Sequence, residues 1–298
     1  MNAREQGFLL LTSPLGDPDR PVLTAAQLRV LTNRVAQMPR ESADRDLTVK
    51  DLQSIGYGPE MANRILRLLS EQELLHHYLK KGKNADCYPL TRGGQGYPPE
   101  VRQRLGADSP GSLWGKGDFS LLDTPKVALV GSRELYPDNL AFAEEVGRQA
   151  ASQGYTLVSG NAKGADRAAQ DACLRAGGCV ISVVADELQS HPQRNDVLYL
   201  SEEGYDLPFT SQRALSRNRV IHSLGLVSFV AQSSLQKGGT WDGTAKNLRF
   251  GWSPVYCFRD GSNAMSLLEE MGADLVDMEQ LQDFSQLNRK TKSLFDSL

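Results

Sequence analysis

The chain has 298 residues, of which 40% are hydrophobic and 23% charged, and its formal net charge is −3 at pH 7. These values predict a soluble globular protein of about two domains and exclude collagen-like, disordered and small disulfide-rich classes. The longest apolar runs are far shorter than the ~18 residues of a membrane span, and no secretion signal is recognisable. We therefore expect a cytoplasmic protein with no membrane partner. The four cysteines form no CxxC pair, which favours reduced core thiols.

Charge is distributed unevenly along the chain. Residues 209–253 contain six Lys or Arg and one Asp, a local net charge of +5, whereas residues 260–288 contain seven acids and no Lys or Arg. Such a basic segment is typical of an anion-binding surface, but ordinary solvated faces produce the same pattern. Composition alone leaves both interpretations open.

Residues 1–85 have helical periodicity and almost no strand pattern, which predicts a small all-helical module of the SAM or helix-hairpin-helix kind. Predicted helices at 48–54 and 59–69 flank the turn Ile55-Gly56-Tyr57-Gly58. The amides of such a turn can hold one DNA phosphate. A purely structural tight turn has the same Gly-x-Gly pattern, so the sequence does not decide between the two interpretations.

Residues 86–124 are rich in Gly and Pro, which predicts a loop-rich connecting segment. In residues 125–298, short apolar runs alternate with helical patterns. This alternation predicts an α/β domain with a doubly wound, mostly parallel Rossmann-like sheet. The predicted strands are 126–130, 156–158, 179–184, 226–230 and 255–258, and the predicted helices are 138–153, 165–176, 212–224, one from residue 244, and 264–271.

Four Gly-rich or basic segments are expected near the carboxyl ends of these strands, where amides and helix N-termini meet anions. They are Gly131-Ser132-Arg133, residues 159–166, residues 237–244, and Arg217-Asn218-Arg219 within a predicted helix that leaves both arginines available. A single such turn is as often structural as functional, but four at one sheet edge favour an anion site. The candidate phosphate-binding residues are Gly131, Ser132, Arg133, Ser159, Gly160, Lys163, Gly164, Arg194, Asn195, Arg217, Asn218, Arg219, Gly238, Gly239 and Thr240.

Tyr136 and Trp241 are candidates for stacking on nucleic-acid bases, although core packing or loop anchoring explains both slightly better. The histidines have no partners at metal-ligand spacing, and no Ser/His/Asp or paired-carboxylate motif accompanies them. We therefore predict no catalytic residue, no metal and no cofactor. The four histidines are His76, His77, His191 and His222.

The motifs, in order, are Val130-Gly131-Ser132-Arg133, Ser159-Gly160-x-Ala162-x-Gly164-x-Asp166, His191-Pro192-x-x-Asn195, Ser201-Glu202, Arg217-Asn218-Arg219-Val220-Ile221 and a Gly-Gly-Thr loop followed by Thr244-Ala245. Their order and spacing resemble the DNA-processing protein A family, also called DprA or Smf. The resemblance implies a Rossmann-like domain that binds single-stranded DNA, commonly as a homodimer. It further implies a role in loading a RecA-type recombinase on incoming DNA during natural transformation.

The sequence departs from the usual pattern of that family at three places. Gln170 stands where a His usually follows Ala169, Gly238-Gly239-Thr240 replaces a Ser-Gly-Ser loop, and His191 replaces a Tyr.

A related class with the same fold offers an alternative function. Phosphoribohydrolase-like proteins and nucleotide-ligand sensors carry a Pro-Gly-Gly-x-Gly-Thr-x-x-Glu loop, which residues 238–244 resemble with a spacing stretched by two. The carboxylate needed for acid/base work is missing, because Ala245, Lys246 and Asn247 follow. A hydrolase is therefore disfavoured, whereas a sensor of a free nucleotide stays open, because a phosphate cradle does not distinguish a polymer from a monomer.

Overall fold

The computed structural model describes residues 1–38 and 46–287. Within them, the N-terminal part of the chain contains the helices α1 (Ala3–Thr12), α2 (Ala25–Val35), α3 (Val49–Ser54), α4 (Pro59–Ser70) and α5 (Gln72–Asn84). Capping boxes start three of these helices, at Asn2, Thr24 and Thr48, because each of these side chains accepts an otherwise unpaired amide of the first turn. The prediction of helices in this part is confirmed.

Helix α1 joins the helical module to the rest of the protein. Phe8 and Leu11 pack in the core of the module, with residues of α2, α3 and α4. Leu9 and Leu10, on the other side of the helix, are fully buried in the main core. Helix α1 therefore contributes apolar side chains to both cores.

The turn between α3 and α4 is held from inside the module. The amides of Ile55, Gly56 and Tyr57 donate to carbonyl oxygens of α3. Arg34 donates to the Gly56 carbonyl oxygen at 2.9 Å, and its guanidinium lies 4.6 Å above the ring of Tyr57. These contacts give the turn a structural role.

The segment 86–124 is not the loop-rich connector that the sequence predicts. It contains β1 (Tyr88–Thr91), α6 (Pro99–Leu105) and β2 (Ser112–Gly117), and β2 pairs antiparallel with a strand of the main sheet. The prediction failed because these short strands contain Pro and Gly, which normally weaken a strand pattern. Gly115 has a packing reason, since a Cβ there would collide with the ring of Phe119.

Nine strands form one sheet in the described residues, and the predicted Rossmann-like parallel sheet is confirmed. The remaining strands are β3 (Lys126–Val130), β4 (Thr156–Ser159), β5 (Val180–Val183), β6 (Val197–Glu202), β7 (Ser228–Val230), β8 (Val255–Phe258) and β9 (Asp274–Val276). The order is β1-β2-β6-β5-β4-β3-β7-β8-β9, and all pairs from β6 to β9 are parallel. The chain winds outward from β3 to β6 and then returns to place β7 on the other side of β3. This arrangement creates a topological switch point between β3 and β7.

Helices cover both faces of the sheet. They are α7 (Pro137–Ser152), α8 (Ala165–Arg175), α9 (Ser211–Ser216), α10 (Asn218–Leu224), α11 (Gly238–Phe250) and α12 (Asn263–Glu270). Phe142 of α7 and Cys173 of α8 are buried in one core cluster, and Ile221 of α10 and Leu268 of α12 are buried in another. All helices in the described ranges are too short or too polar to span a bilayer.

Two predicted helices have different limits in the structure. The predicted helix 212–224 is interrupted at Arg217, where the Val220 amide bonds to the Arg217 carbonyl oxygen in a tighter turn. Helix α11 begins at Gly238 instead of residue 244, so the glycines form its first turn. The domain limits 1–85 and 125–298 stay predictions, and their residues 39–45 and 288–298 lie outside the described part.

Candidate functional site

A cleft of about 660 Å³ opens at the carboxyl ends of β3 and β7. The segment after β3 forms one wall, the start of α11 forms another, and Arg217, between α9 and α10, lies between them. This is the switch point of the sheet, the place where doubly wound proteins bind ligands. We call it the phosphate cleft.

Arg217 is the central charged residue of the phosphate cleft. It is only 7% exposed, yet its Nε and Nη1 have no hydrogen-bond acceptor among the described residues. Its Nη2 lies 3.9 Å from Oδ2 of Asp166, within ion-pair range but too far for a hydrogen bond. A buried guanidinium with unpaired donors is costly, and its positive charge beside the cleft favours an anion there.

The carboxylate of Asp166 is already engaged by its own loop. It accepts the amide of Ala162 at 3.3 Å, and the amide of Gly160 also interacts with it. Burial raises the pKa of Asp166, while the charge of Arg217 and these amides act in the opposite direction. Burial likewise lowers the pKa of the Arg217 guanidinium, although Asp166 favours its charged form. Asp166 therefore balances Arg217 only in part.

Further cations stand at the rim of the phosphate cleft. Arg133 and Lys237 line it, both are exposed, and neither has an ion pair among the residues that the structure describes. Together with Arg217 they give three basic lining residues against two acidic ones, Glu134 and Asp166. The charge of Arg133 also acts on Arg217 and lowers its pKa. The cleft is therefore electropositive.

The N-terminus of α11 adds partial positive charge. Gly238, Gly239 and Thr240 of its first turn line the phosphate cleft, and Lys237 is an N-cap without a side-chain cap bond. The first amides of a helix lack partners within the helix and favour an anion. Asn218 holds this turn in place by donating to the Gly239 carbonyl oxygen at 2.9 Å.

The glycines of the loops after β3 and β4 bring these loops together. A Cβ at Gly160 would overlap the guanidinium of Arg217, and a Cβ at Gly164 would overlap the carbonyl oxygens of Ser132 and Arg133. Gly164 also has a φ of +91°, which favours glycine. A Cβ at Gly131 would likewise collide with the Cβ of Ala165. Close packing is therefore an observed role of these predicted residues.

Ser159 and Lys163 lie beside the phosphate cleft and do not line it. Ser159 is buried at the end of β4 and donates to the Leu129 carbonyl oxygen at 2.9 Å. Lys163 is exposed and follows Ala162, which does line the cleft. Ser132 lines the cleft and bonds to the Gln232 carbonyl oxygen through both its amide and its hydroxyl group.

Arg217 and Arg219 do not form the pair that the sequence predicts. Arg219 faces a second cleft, and its Nη2 donates to Oε2 of Glu202 at 2.6 Å. The prediction that both arginines are available is therefore corrected, because Glu202 neutralises Arg219, whereas Nε and Nη1 of Arg217 have no acceptor among the described residues.

The structure does not bring Arg194 and Asn195 to the phosphate cleft. Arg194 forms two hydrogen bonds to Asp196, of 2.8 and 2.6 Å. The backbone carbonyl oxygen of Asp196 accepts the amide of Val180, the first residue of β5, so this segment lies at the amino ends of the parallel strands. The phosphate cleft lies at the carboxyl ends.

The amino-acid sequence matches a known family over most of the α/β part. The family model of DNA recombination-mediator protein A matches residues 89–284. The chain belongs to this family. It is 36% identical over 163 residues to DNA processing protein DprA of Streptococcus pneumoniae, covering 51% of this chain and 54% of that protein. It is 31% identical over 157 residues to Protein Smf of Escherichia coli, covering 48% of this chain and 40% of that protein. The matches thus span about half of these relatives.

Solved structures of DprA proteins share the fold. The crystal structure of DprA from Streptococcus pneumoniae matches with a TM-score of 0.72 and 26% identity, covering 94% of this chain and 96% of that one. A structure of DprA from Helicobacter pylori, described for its single-stranded DNA binding mode, matches with a TM-score of 0.57 and 24% identity. That match covers 68% of this chain and 96% of that one, and it concerns the fold alone. The resemblance to the DprA family seen in the sequence is confirmed.

Lys237 and Asp166, two charged residues of the phosphate cleft in this DprA-family chain, are among the lining residues that were absent from the predicted set. Lys237 lines the cleft, and the signal for it was its place directly before the glycines that start α11. Asp166 was part of a motif, but only the structure reveals it as the partner of Arg217. Of the two candidate aromatic residues, Tyr136 lines the cleft and is 71% exposed, whereas Trp241 packs partly buried against the core.

Proposed function

We propose that the phosphate cleft binds the backbone of single-stranded DNA and that the protein acts by binding, not by catalysis. The observation that carries this proposal is the buried guanidinium of Arg217, a residue that lines the cleft and has two nitrogen atoms without an acceptor among the described residues. A phosphate diester offers two non-bridging oxygens that share one negative charge and can accept hydrogen bonds from such donors.

The spread of charge favours a polymer over a mononucleotide. Arg133, Arg217 and Lys237 come from three separate segments around an open cleft, so several phosphates of one strand can be neutralised at once. The exposed ring of Tyr136 at the rim suits stacking on an unpaired base, which a duplex does not offer.

The family and its relatives support a wider role. We propose that the protein is a cytoplasmic recombination mediator that works as a homodimer and helps load a RecA-type recombinase on incoming single strands, as in natural transformation. The Helicobacter pylori relative, described as binding single-stranded DNA, supports the DNA-binding part of this proposal.

The proposal is tested by titrating a fluorescent oligonucleotide of about 30 nucleotides and its duplex and following anisotropy. We expect tighter binding of the single strand and no displacement by millimolar mononucleotides, cyclic nucleotides or ADP-ribose. Full displacement by one of these small molecules would instead favour the nucleotide-sensor alternative.

A further inference from the structure

A second cleft, of about 650 Å³, lies on the opposite side of Leu215 and Gly238 from the phosphate cleft. Both of these residues line both clefts, so a single wall separates them. Leu215 is 44% exposed on that wall. A flexible chain bound in the phosphate cleft can therefore pass directly into the second one, which we call the aromatic cleft.

Two stacked rings form one side of the aromatic cleft. The centroids of Phe250 and Trp252 are 5.8 Å apart, and their planes differ by 18°. Gly251 between them has a left-handed φ of +65°, which ends α11 and lets both rings face the same side. Phe250 is 60% exposed, and together with the neighbouring ring of Trp252 it forms a contiguous apolar surface of the kind that marks a binding site.

Cations accompany these rings. The guanidinium of Arg249 lies 5.3 Å from the ring centroid of Phe250, and Arg249 has no ion pair among the described residues. Arg219 lines the aromatic cleft; its Nη2 is paired with Glu202, while its buried Nε has no acceptor within the described part of the chain. The lining carboxylates Asp108 and Asp242 are paired with Arg29 and Lys246. Aromatic faces beside the unpaired guanidinium of Arg249 match a ligand that alternates flat bases with phosphates.

We propose that the aromatic cleft is a base-stacking platform for the same single strand, with Phe250 and Trp252 as the stacking residues. The proposal rests on the proposed function of the phosphate cleft. A strand held there by Arg217 crosses the wall at Leu215 and lays its bases on the two rings, while Arg249 meets its phosphates. Stacking on ring faces is tolerant of sequence, so the platform extends the bound length without selecting bases.

The test compares affinities for oligothymidylates in a length series from about 5 to about 30 nucleotides. The variants are Phe250→Ala, the conservative Phe250→Tyr, and Leu140→Ala as a control. Leu140 is another exposed apolar residue, on α7, that lines neither cleft. Because Phe250 is largely exposed, its replacement is not expected to prevent folding, and the thermal midpoint of each variant is measured alongside.

We expect the Phe250→Ala protein to bind the shortest oligomers as the unsubstituted protein does and the longest ones about fivefold or more weakly. Phe250→Tyr should restore the long-oligomer affinity, and Leu140→Ala should change nothing. Unchanged affinity of Phe250→Ala at all lengths would overturn the platform and leave the rings to another partner, such as a protein. Arg217→Ala separates the two proposals, because it should weaken binding at every length if the phosphate cleft binds DNA.

Discussion

The guanidinium of Arg217 occupies the space that a side chain at Gly160 would need. The absence of a Cβ in the loop after β4 thus lets a cation from the α9–α10 junction lie buried at the end of the sheet. Gly160 in the loop after β4 leaves space for the guanidinium, and Asp166 after the same strand partly balances its charge. The junction of α9 and α10 supplies Arg217 itself.

Gly160→Ala should therefore disturb both stability and binding. The new methyl group displaces Arg217, and we expect a loss of about 1–3 kcal/mol in the free energy of unfolding, as for overpacking of a core, together with weaker single-strand binding. Gly7→Ala, within α1, is the matched control, since the new Cβ would lie 3.9 Å from Leu69 Cδ2, an ordinary contact distance. It should stabilise the protein by about 0.5–1 kcal/mol. Unchanged DNA affinity in a stable Gly160→Ala protein would contradict the coupling.

Salt dependence reports how many phosphates the cleft neutralises. With contacts from Arg133, Arg217 and Lys237, the logarithm of the binding constant should fall with the logarithm of salt concentration with a slope of about −2, from about −0.7 per contact. Lys237→Ala should reduce this slope by about 0.7. A slope near zero in the unsubstituted protein would argue against phosphate recognition.

Asp166 should make binding depend on pH. Burial raises the pKa of its carboxyl group, so it takes up a proton at a higher pH than an exposed aspartate does. Protonation removes the negative charge that offsets Arg217, and affinity for a single strand should rise as the pH is lowered. Asp166→Asn should bind more tightly at neutral pH, by about 1 kcal/mol, with a flatter pH profile. Weaker binding by this variant, with an unchanged thermal midpoint, would count against the assignment.

His222, which does not line the phosphate cleft, should make the stability of the protein depend on pH. It is fully buried, its Nδ1 lies 2.9 Å from Ser228 Oγ, and burial lowers its pKa to about 4. The unfolded chain, with an ordinary histidine pKa of about 6.5, then binds a proton before the folded protein does as the pH falls. This difference removes about 2 kcal/mol of stability between pH 7 and pH 5.

Urea unfolding at the two pH values measures the contribution of His222. His222→Gln should flatten the pH dependence by that amount, whereas replacing the exposed His76 by Gln should not. An unchanged pH dependence in the His222 variant would show that this imidazole does not titrate as its burial requires.

The sequence was sufficient to predict the strands whose apolar runs are uninterrupted, such as β3 and β8. It was insufficient for β1 and β2, because Pro and Gly interrupt the apolar pattern of these short strands. Both strands nevertheless pair with their neighbours in the sheet. At the site, glycine spacing located the loops after β3 and β4. Arg217 and Arg219 differ in their ion-pair partners, Asp166 and Glu202, which are distant in sequence. The order of residues alone could therefore not distinguish the two arginines.

The most direct test of DNA binding by the phosphate cleft is the affinity of Arg217 variants for a 30-nucleotide single strand, compared with Arg194→Ala as a matched control. Arg194 is an arginine of equal charge that is paired to Asp196 away from the cleft. Arg217→Ala should weaken binding by about 1.5–3 kcal/mol, the range for a hydrogen bond to a charged group, and Arg217→Lys should restore part of it, while Arg194→Ala binds as the unsubstituted protein does. Equal affinities of a folded Arg217→Ala protein and the unsubstituted protein would contradict the account.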